Sequence, residues 1–321
     1  MLENVSMKTC HKPVLLKETI NFLNLHPGDN IIDCTFGSGG HSREILKKIL
    51  PNGNLLAIDA NQDTKKIIIN NNFNKNNFKL ITDNFKNLKN IVKKIQTDFP
   101  PASRAGSQGQ EKTSAKAGLN NISGILIDLG LSSDELETSG RGFSFQKNES
   151  LDMRFGIQQD LTAADILNSY SLENLYAVFK NFGDYPHAGN LSKVIFRQRK
   201  LKKFKTTHDL LNVIPARHQM DKIHPATKIF KALRIEVNHE LNNLKEVLPQ
   251  AIDILEHGGR LVVISFHSLE DRIVKNYFKD NGRGENKILN ILTKKPIIAT
   301  VSETKNNPRS RSAKLRCAEK I

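Results

Sequence analysis

Short β-branched runs alternating with longer helical patterns constrain this chain more than any other feature. Asn30–Thr35, Asn54–Asp59, Lys79–Thr82, Ser123–Leu129 and Arg260–Phe266 read as strands, with helices at His41–Leu50, Gln62–Asn70 and Phe85–Gln96. Strands joined through helices pair in parallel and are covered on both faces, so the expected class is α/β with a Rossmann-like sheet. Leu233, Val237, Leu241, Leu244, Leu248, Ile252 and Leu255 recur every three or four residues, predicting a helix from Lys228 to Leu255 along the sheet. Pro249 falls inside it and predicts a kink or a fresh start.

A chain of 321 residues can hold one large core and a second, smaller one. From 137 to 225 the strand pattern disappears, and Ile166, Leu167, Tyr170, Leu175, Val178 and Phe179 follow helical spacing. The expected organisation is therefore a core made of 1–136 and 226–321, interrupted by a helical substrate-recognition domain at 137–225. Residues 101–118 consist of small and polar types without one large apolar side chain. Such a stretch cannot offset the entropy of ordering, and it reads as a disordered surface insertion.

Lys and Arg outnumber Asp and Glu by 48 to 33, a formal charge of +15 that favours a polyanionic partner. The insertion, with Arg104, Lys112 and Lys116 against Glu111, accounts for little of that excess. Cys10, Cys34 and Cys317 have neither disulfide nor zinc spacing, so no metal is expected and a cytoplasmic location fits. Met1 to Cys10 lacks a signal-peptide run, and no apolar stretch reaches the length of a membrane helix.

Ile31-Ile32-Asp33 leads through Gly37-Ser38-Gly39-Gly40 into His41 and a helix. Glycines permit a tight turn and close approach to a ligand, and the helix start offers free N–H donors. Three acids refine the ligand. Asp33, at a strand end four residues before Gly37, suits an ammonium group and would repel a pyrophosphate. Asp59 ends the second strand, where a carboxylate can accept two ribose hydroxyls, and Asp128 ends the fourth at the same sheet edge. S-adenosylmethionine fits this set. A nicotinamide dinucleotide fits less well, because position 42 is Ser42 where its fingerprint needs glycine, and no triphosphate-binding loop occurs.

Several longer segments then become informative: His11-Lys12-Pro13-Val14-Leu15-Leu16, Thr35 to Ser42, Asp128-Leu129-Gly130-Leu131-Ser132-Ser133, Arg141-Gly142-Phe143-Ser144-Phe145, Leu151-Asp152-Met153-Arg154, His224-Pro225-Ala226-Thr227, Ser265 to Arg272, and Pro308-Arg309-Ser310-Arg311-Ser312. In order and spacing the chain resembles the ribosomal small-subunit methyltransferase H family, also called MraW, over nearly its whole length. The resemblance implies a class I methyltransferase that moves a methyl from S-adenosylmethionine to the exocyclic N4 of a cytosine in the decoding region of 16S rRNA. It implies that Gly39, Gly40 and His41 contact the cofactor, Asp59 its ribose, Phe85 the region of its adenine, and Asp128 its methionine or adenine end. Glu135 takes the place of a further family contact that is usually Gln or His, and the 101–118 insertion departs from the family pattern.

Methylating an aromatic amine needs in-line positioning and exclusion of water, and an acceptor for the departing proton helps. Asp128 is the first candidate and His267, at the end of the fifth strand, the second. The target base needs an aromatic platform, for which Phe143 and Phe145 are candidates; both also suit a plain core. His187 and His224 lack metal spacing and read as structural.

For RNA, Lys193 to Lys205 concentrates seven cations in the inserted domain, and Arg197, Arg199, Lys200, Lys202 and Lys203 are the expected phosphate contacts. The tail, with Arg309, Arg311, Lys314 and Arg316, is a second candidate. The expected partner is 16S rRNA or the small ribosomal subunit, with the protein a monomer or a homodimer and no membrane involved. The competing reading is a non-catalytic RNA-binding or ribosome assembly factor that keeps a vestigial cofactor pocket.

Overall fold

The structure, a computed structural model, describes residues 12–65, 73, 76–100, 118–131, 136, 139–156, 159–215 and 224–321. It divides into two compact units, one formed by Met1–Gly130 with Leu244–Ile321 and the other by Leu131–Asn243.

In the first unit, β1 (Asn30–Asp33), β2 (Asn54–Asp59), β3 (Phe78–Thr82), β4 (Ile122–Asp128) and β5 (Leu255–Ser265) pair in parallel in the order β3-β2-β1-β4-β5. The chain winds outward from β1 through β2 to β3, then returns to place β4 on the other side of β1. That reversal makes the carboxyl ends of β1 and β4 the switch point of the sheet, where open α/β sheets bind their ligands. Strands β1, β2 and β4 are buried along nearly their whole length, as expected of a sheet covered on both faces. Among the helices of this unit are α1 (Leu16–Leu23), α2 (Gly40–Ile49) and α3 (Leu88–Ile95). Ile45 and Ile49 of α2 pack with Ile31, Leu55 and Leu126, while Leu88, Ile91 and Ile95 of α3 belong to a second cluster with Ile32, Ile58 and Ile127.

The second unit is helical: α4 (Ala163–Ser169), α5 (Leu172–Asn181), α6 (Ala188–Leu201), α7 (Thr207–Leu211) and α8 (Pro225–Asn238). Its helix starts are readable locally. Thr162 with Asp165, and Thr206 with Asp209, form reciprocal capping boxes, and Ser171 caps α5. The expected domain boundary after 225 moves to Asn243, because the buried face of α8 (Ala226, Ile229, Phe230, Leu233, Val237) joins the core of Leu167, Leu175 and Phe179.

The long helix predicted over 228–255 is two helices, α8 and α9 (Glu240–Ile254), and they break at His239 rather than at Pro249. His239 adopts the left-handed conformation at φ 50° and ends α8. Pro249 stays within α9, where the flanking Val247, Leu248, Ala251 and Ile252 are buried against the sheet and hold the helix through the one missing N–H. Beyond β5 come α10 (Ser268–Asn281), β6 (Leu289–Ile291), β7 (Ile297–Ile298), α11 (Val301–Asn306) and β8 (Lys314–Lys320). Strand β8 pairs antiparallel with β5, and β6 and β7 pair with its outer side, which makes the sheet mixed. The 66–70 part of the helix predicted at 62–70, and 101–117 of the predicted insertion, lie outside the described residues.

Candidate active site

The glycine loop follows β1 as its sequence requires. Gly37 at φ 53° and Gly39 at φ 74° take left-handed backbone, and Gly39 immediately precedes the first turn of α2. A Cβ at Gly39 would stand 2.8 Å from the Phe36 ring and 2.9 Å from Phe73; one at Gly40 would meet the Pro13 ring at 2.7 Å. The loop is therefore packed from beneath and along its flank, with its backbone N–H groups at the helix start.

Asp59 braces this loop while ending β2. Its Oδ2 accepts the Gly37 N–H at 2.7 Å and its Oδ1 the Asn61 N–H at 2.8 Å. These two bonds hold the Asp59 carboxylate against the glycine loop at the end of β2. Phe85 lies just past β3 in a short 3-10 turn (Phe85–Asn87), half-buried against the cluster that includes α3 and α9.

Asp33 and Asp128 stand in different surroundings at this edge. Asp33 is only 1% exposed; Ser42 Oγ donates to its Oδ2 at 2.6 Å and the Thr35 N–H to its Oδ1 at 3.1 Å. It ties the loop to α2 through these two bonds. Burial raises its pKa to about 6, with the hydrogen bonds from Ser42 and Thr35 opposing. Asp128 stands one strand away and is 22% exposed. Its backbone N–H donates to Thr35 Oγ1 at 2.7 Å, and its Oδ2 lies 3.4 Å from His41 Nδ1. The other nitrogen of that ring, Nε2, is 3.1 Å from the Val14 carbonyl. Burial of the Asp128 carboxyl pushes its pKa well up, and the charges of Asp33 and Glu270 push it further.

Besides His267 Nε2, two buried polar atoms at this edge lack a hydrogen-bond partner: Asp128 Oδ1 at the end of β4 and Thr82 Oγ1 at the end of β3. Buried polar groups are nearly always satisfied, so a polar ligand across the strand ends fits both. No site role for Thr82, Thr35 or Ser42 is evident from the sequence. The one available signal was position, since Thr82 ends a strand as Asp59 and Asp128 do.

His267 stands two residues past the end of β5, and its Nε2 is buried without a hydrogen bond. It is the N-cap of α10: its Nδ1 accepts the Glu270 N–H at 3.4 Å, and its Nε2 is 3.1 Å from Glu270 Oε1. Phe143 and Phe145 belong to the core of the second unit, Phe143 stacked on Phe155 and Phe145 on the His224 ring. His224 caps α8. Glu135 lies outside the described residues.

Of the expected phosphate contacts, Arg199 and Lys202 are held by other groups of the protein, and Lys200 Nζ lies 5.5 Å from the centre of the Phe196 ring. Arg199 donates to the carbonyls of Leu167 and Tyr170 and lies over the Phe196 ring, and Lys202 pairs with Asp209 at 2.7 Å. Arg197, Lys200 and Lys203 are exposed, and Lys193 joins Arg197 and Lys200 on one face of α6 at helical spacing. In the tail, Arg316 is buried and bound to Asp271 at 2.7 Å, with Lys314 on the same carboxylate at 3.4 Å, so neither is a free contact. No helix among the described residues is long and apolar enough to cross a membrane.

A parallel sheet with a switch point, a glycine loop opening a helix, and carboxylates at the ends of β1, β2 and β4 together define a Rossmann-like methyltransferase. Residues 8–321 match the model of the MraW methylase family, and the chain belongs to that family. It is 44% identical over 317 residues to the ribosomal RNA small subunit methyltransferase H of Dictyoglomus thermophilum, covering 98% of each chain. It is 41% identical over 331 residues to the protein of the same name from Dehalococcoides mccartyi, covering 97% of this chain and 86% of that one. Among solved structures, a putative methyltransferase from Streptococcus mutans in complex with SAH is 11% identical with a TM-score of 0.40, covering 97% of this chain and 100% of that one.

Proposed function

We propose that this enzyme transfers a methyl group from S-adenosylmethionine to the exocyclic N4 of a cytosine in the decoding region of 16S rRNA, on RNA or on the small ribosomal subunit. The observation that carries the reading is the edge beyond β1, β2 and β4, where the glycine loop, Asp59, and the unsatisfied Asp128 Oδ1 stand at the sheet's switch point. The family and the names of the relatives supply the class of substrate.

S-adenosylmethionine supplies a methyl already activated on sulfur, so the protein's work is positioning, exclusion of water and proton handling. Gly39, Gly40 and His41 present the start of α2 to the cofactor, and Asp59 holds the loop while offering acceptors to ribose hydroxyls. Asp128 is the acceptor for the amine proton, oriented by Thr35 through its backbone and by His41 through its carboxylate. Asp33 and Ser42 hold the loop's underside. Thr82 adds a hydroxyl at the far side of Asp59, its strand partner. The second unit carries substrate recognition, with Lys193, Arg197, Lys200 and Lys203 as phosphate contacts.

The test is transfer of labelled methyl from S-adenosylmethionine to small subunits lacking the modification, with the product nucleoside identified. Normal cofactor binding without transfer would reject the substrate assignment.

A further inference from the structure

The basic tail loses Lys314 and Arg316 to Asp271, yet the segment before it gains importance. Between residues 294 and 312 the cations Lys294, Lys295, Lys305 and Arg311 are exposed, and none pairs with a carboxylate among the described residues. The only acid in this segment, Glu303, is turned inward, its Oε1 accepting the Leu15 N–H at 2.8 Å. Between the charges, Ile298 (63% exposed) and Val301 (88%) present apolar surface to solvent.

Strand register places this segment beside the candidate active site. Asp128 is opposite Ile264, Ile264 opposite Leu315, and Leu315 opposite Ile297, a single row across the carboxyl edge. Three strand gaps correspond to about 14 Å, so the exposed end of β7 lies within a short run of nucleotides of Asp128. The segment is also tied to the residues that flank the glycine loop. Asn307 Nδ2 donates to the Lys12 carbonyl, Glu303 holds Leu15, and between these anchors Pro13 packs on Gly40 while Val14 receives His41.

We propose that residues 294–312 form a phosphate-binding strip that holds the RNA strand flanking the target base against the edge of the methyltransferase sheet. This rests on the reading of the substrate as RNA and extends it to a surface distinct from α6. The four cations meet successive phosphates, and the apolar side chains between them cover sugar or base faces. The anchors at Lys12 and Leu15 keep the strip in register with the cofactor loop.

The test compares the full-length protein with a variant in which Lys294, Lys295, Lys305 and Arg311 are all changed to Gln, and with a charge-keeping variant carrying Arg at the first three and Lys at the fourth. Affinity for a decoding-region 16S rRNA fragment and for whole small subunits is measured against salt, and S-adenosylmethionine binding by calorimetry. The Gln variant should lose at least about tenfold in affinity for both, with a log–log salt slope shallower by about 3 and normal cofactor binding. The charge-keeping variant should restore both affinity and slope. Wild-type affinity and slope in the Gln variant would overturn the proposal. So would a loss confined to whole subunits, which marks a protein contact, or a loss that the charge-keeping variant does not repair. Failure of the wild-type protein to methylate subunits would sink the functional reading while leaving the affinity comparison to judge the strip.

Discussion

His41 stands between Val14 and Asp128: its Nε2 is 3.1 Å from the Val14 carbonyl and its Nδ1 3.4 Å from Asp128 Oδ2. A carbonyl can only accept, so Nε2 carries a hydrogen, and in the neutral ring Nδ1 is then an acceptor facing a carboxyl. Protonated Asp128 satisfies that arrangement. Its pKa is raised by burial first and by Asp33 and Glu270 next. Binding a cationic cofactor favours the ionised carboxylate, so S-adenosylmethionine binding should release a proton and tighten as pH rises toward the free protein's raised Asp128 value. Calorimetry in buffers of different ionisation heat should show this release in the wild type and its absence in Asp128→Asn. Identical apparent heats in all buffers for the wild type would refute the linkage.

Asp33 and Asp271 should give opposite pH signatures in the stability of the protein without cofactor. Asp33 is held at about 6 against an ordinary 3.8, so the folded state binds the extra proton and stability falls as pH rises from about 4 through 6. The cost at neutral pH is roughly 2 to 3 kcal/mol by this linkage, and Asp33→Asn should recover part of it. Asp271 is held below its ordinary value, although burial acts against this, because Arg316 and Lys314 bond its carboxylate. Its contribution is present above 3.8 and is lost as pH falls below it. Asp271→Ala leaves Arg316 buried without its partner and should cost about 3 to 5 kcal/mol. Urea unfolding across pH measures both effects.

The parallel half of the fold was legible because its strands obey a simple rule. Ile31-Ile32, Leu55-Leu56 and Ile125-Leu126-Ile127 are apolar on both faces, and each strand is bounded by turn residues or an acid. The antiparallel edge was not. In β8 the core positions are Leu315, Arg316, Cys317 and Ala318, and an arginine in the middle reads as surface until Asp271 is seen beside it. The break at His239 was hidden for a related reason: a left-handed histidine leaves no compositional mark, whereas Pro249 leaves a strong one that neighbouring burial overrides. At the site, Asp33, Asp59 and Asp128 were visible as strand ends. Which of them is enclosed and which keeps an unsatisfied oxygen depends on Ser42, Thr35 and His41, contacts that no spacing encodes.

Gly39 offers a direct test of the loop. Its φ of 74° disfavours any side chain, and a methyl there would press within 2.9 Å of both the Phe36 and Phe73 rings. Gly39→Ala should lower stability by roughly 2 to 4 kcal/mol and weaken S-adenosylmethionine binding, because relief of the clash moves the first turn of α2. Calorimetry and thermal melting would show both. Unchanged cofactor affinity in a variant that is measurably less stable would argue that the start of α2 does not contact the cofactor.

The α6 cations separate into a recognition set and a structural one, and their mutants should behave accordingly. Lys193, Arg197 and Lys200 share an exposed face at i, i+4 and i+7, so changing all three to Gln should leave folding intact and flatten the salt dependence of RNA binding by about 2. Arg199 instead donates to the carbonyls of Leu167 and Tyr170 and covers Phe196, joining α6 to the end of α4. Arg199→Ala should destabilise the protein by about 1 to 3 kcal/mol through the carbonyls left unsatisfied. Its salt slope should stay that of the wild type, since a residue turned inward releases no counterion on binding. A triple Gln variant with an unaltered slope, or an Arg199→Ala variant with a reduced one, would move the RNA contact away from the face defined by Lys193, Arg197 and Lys200.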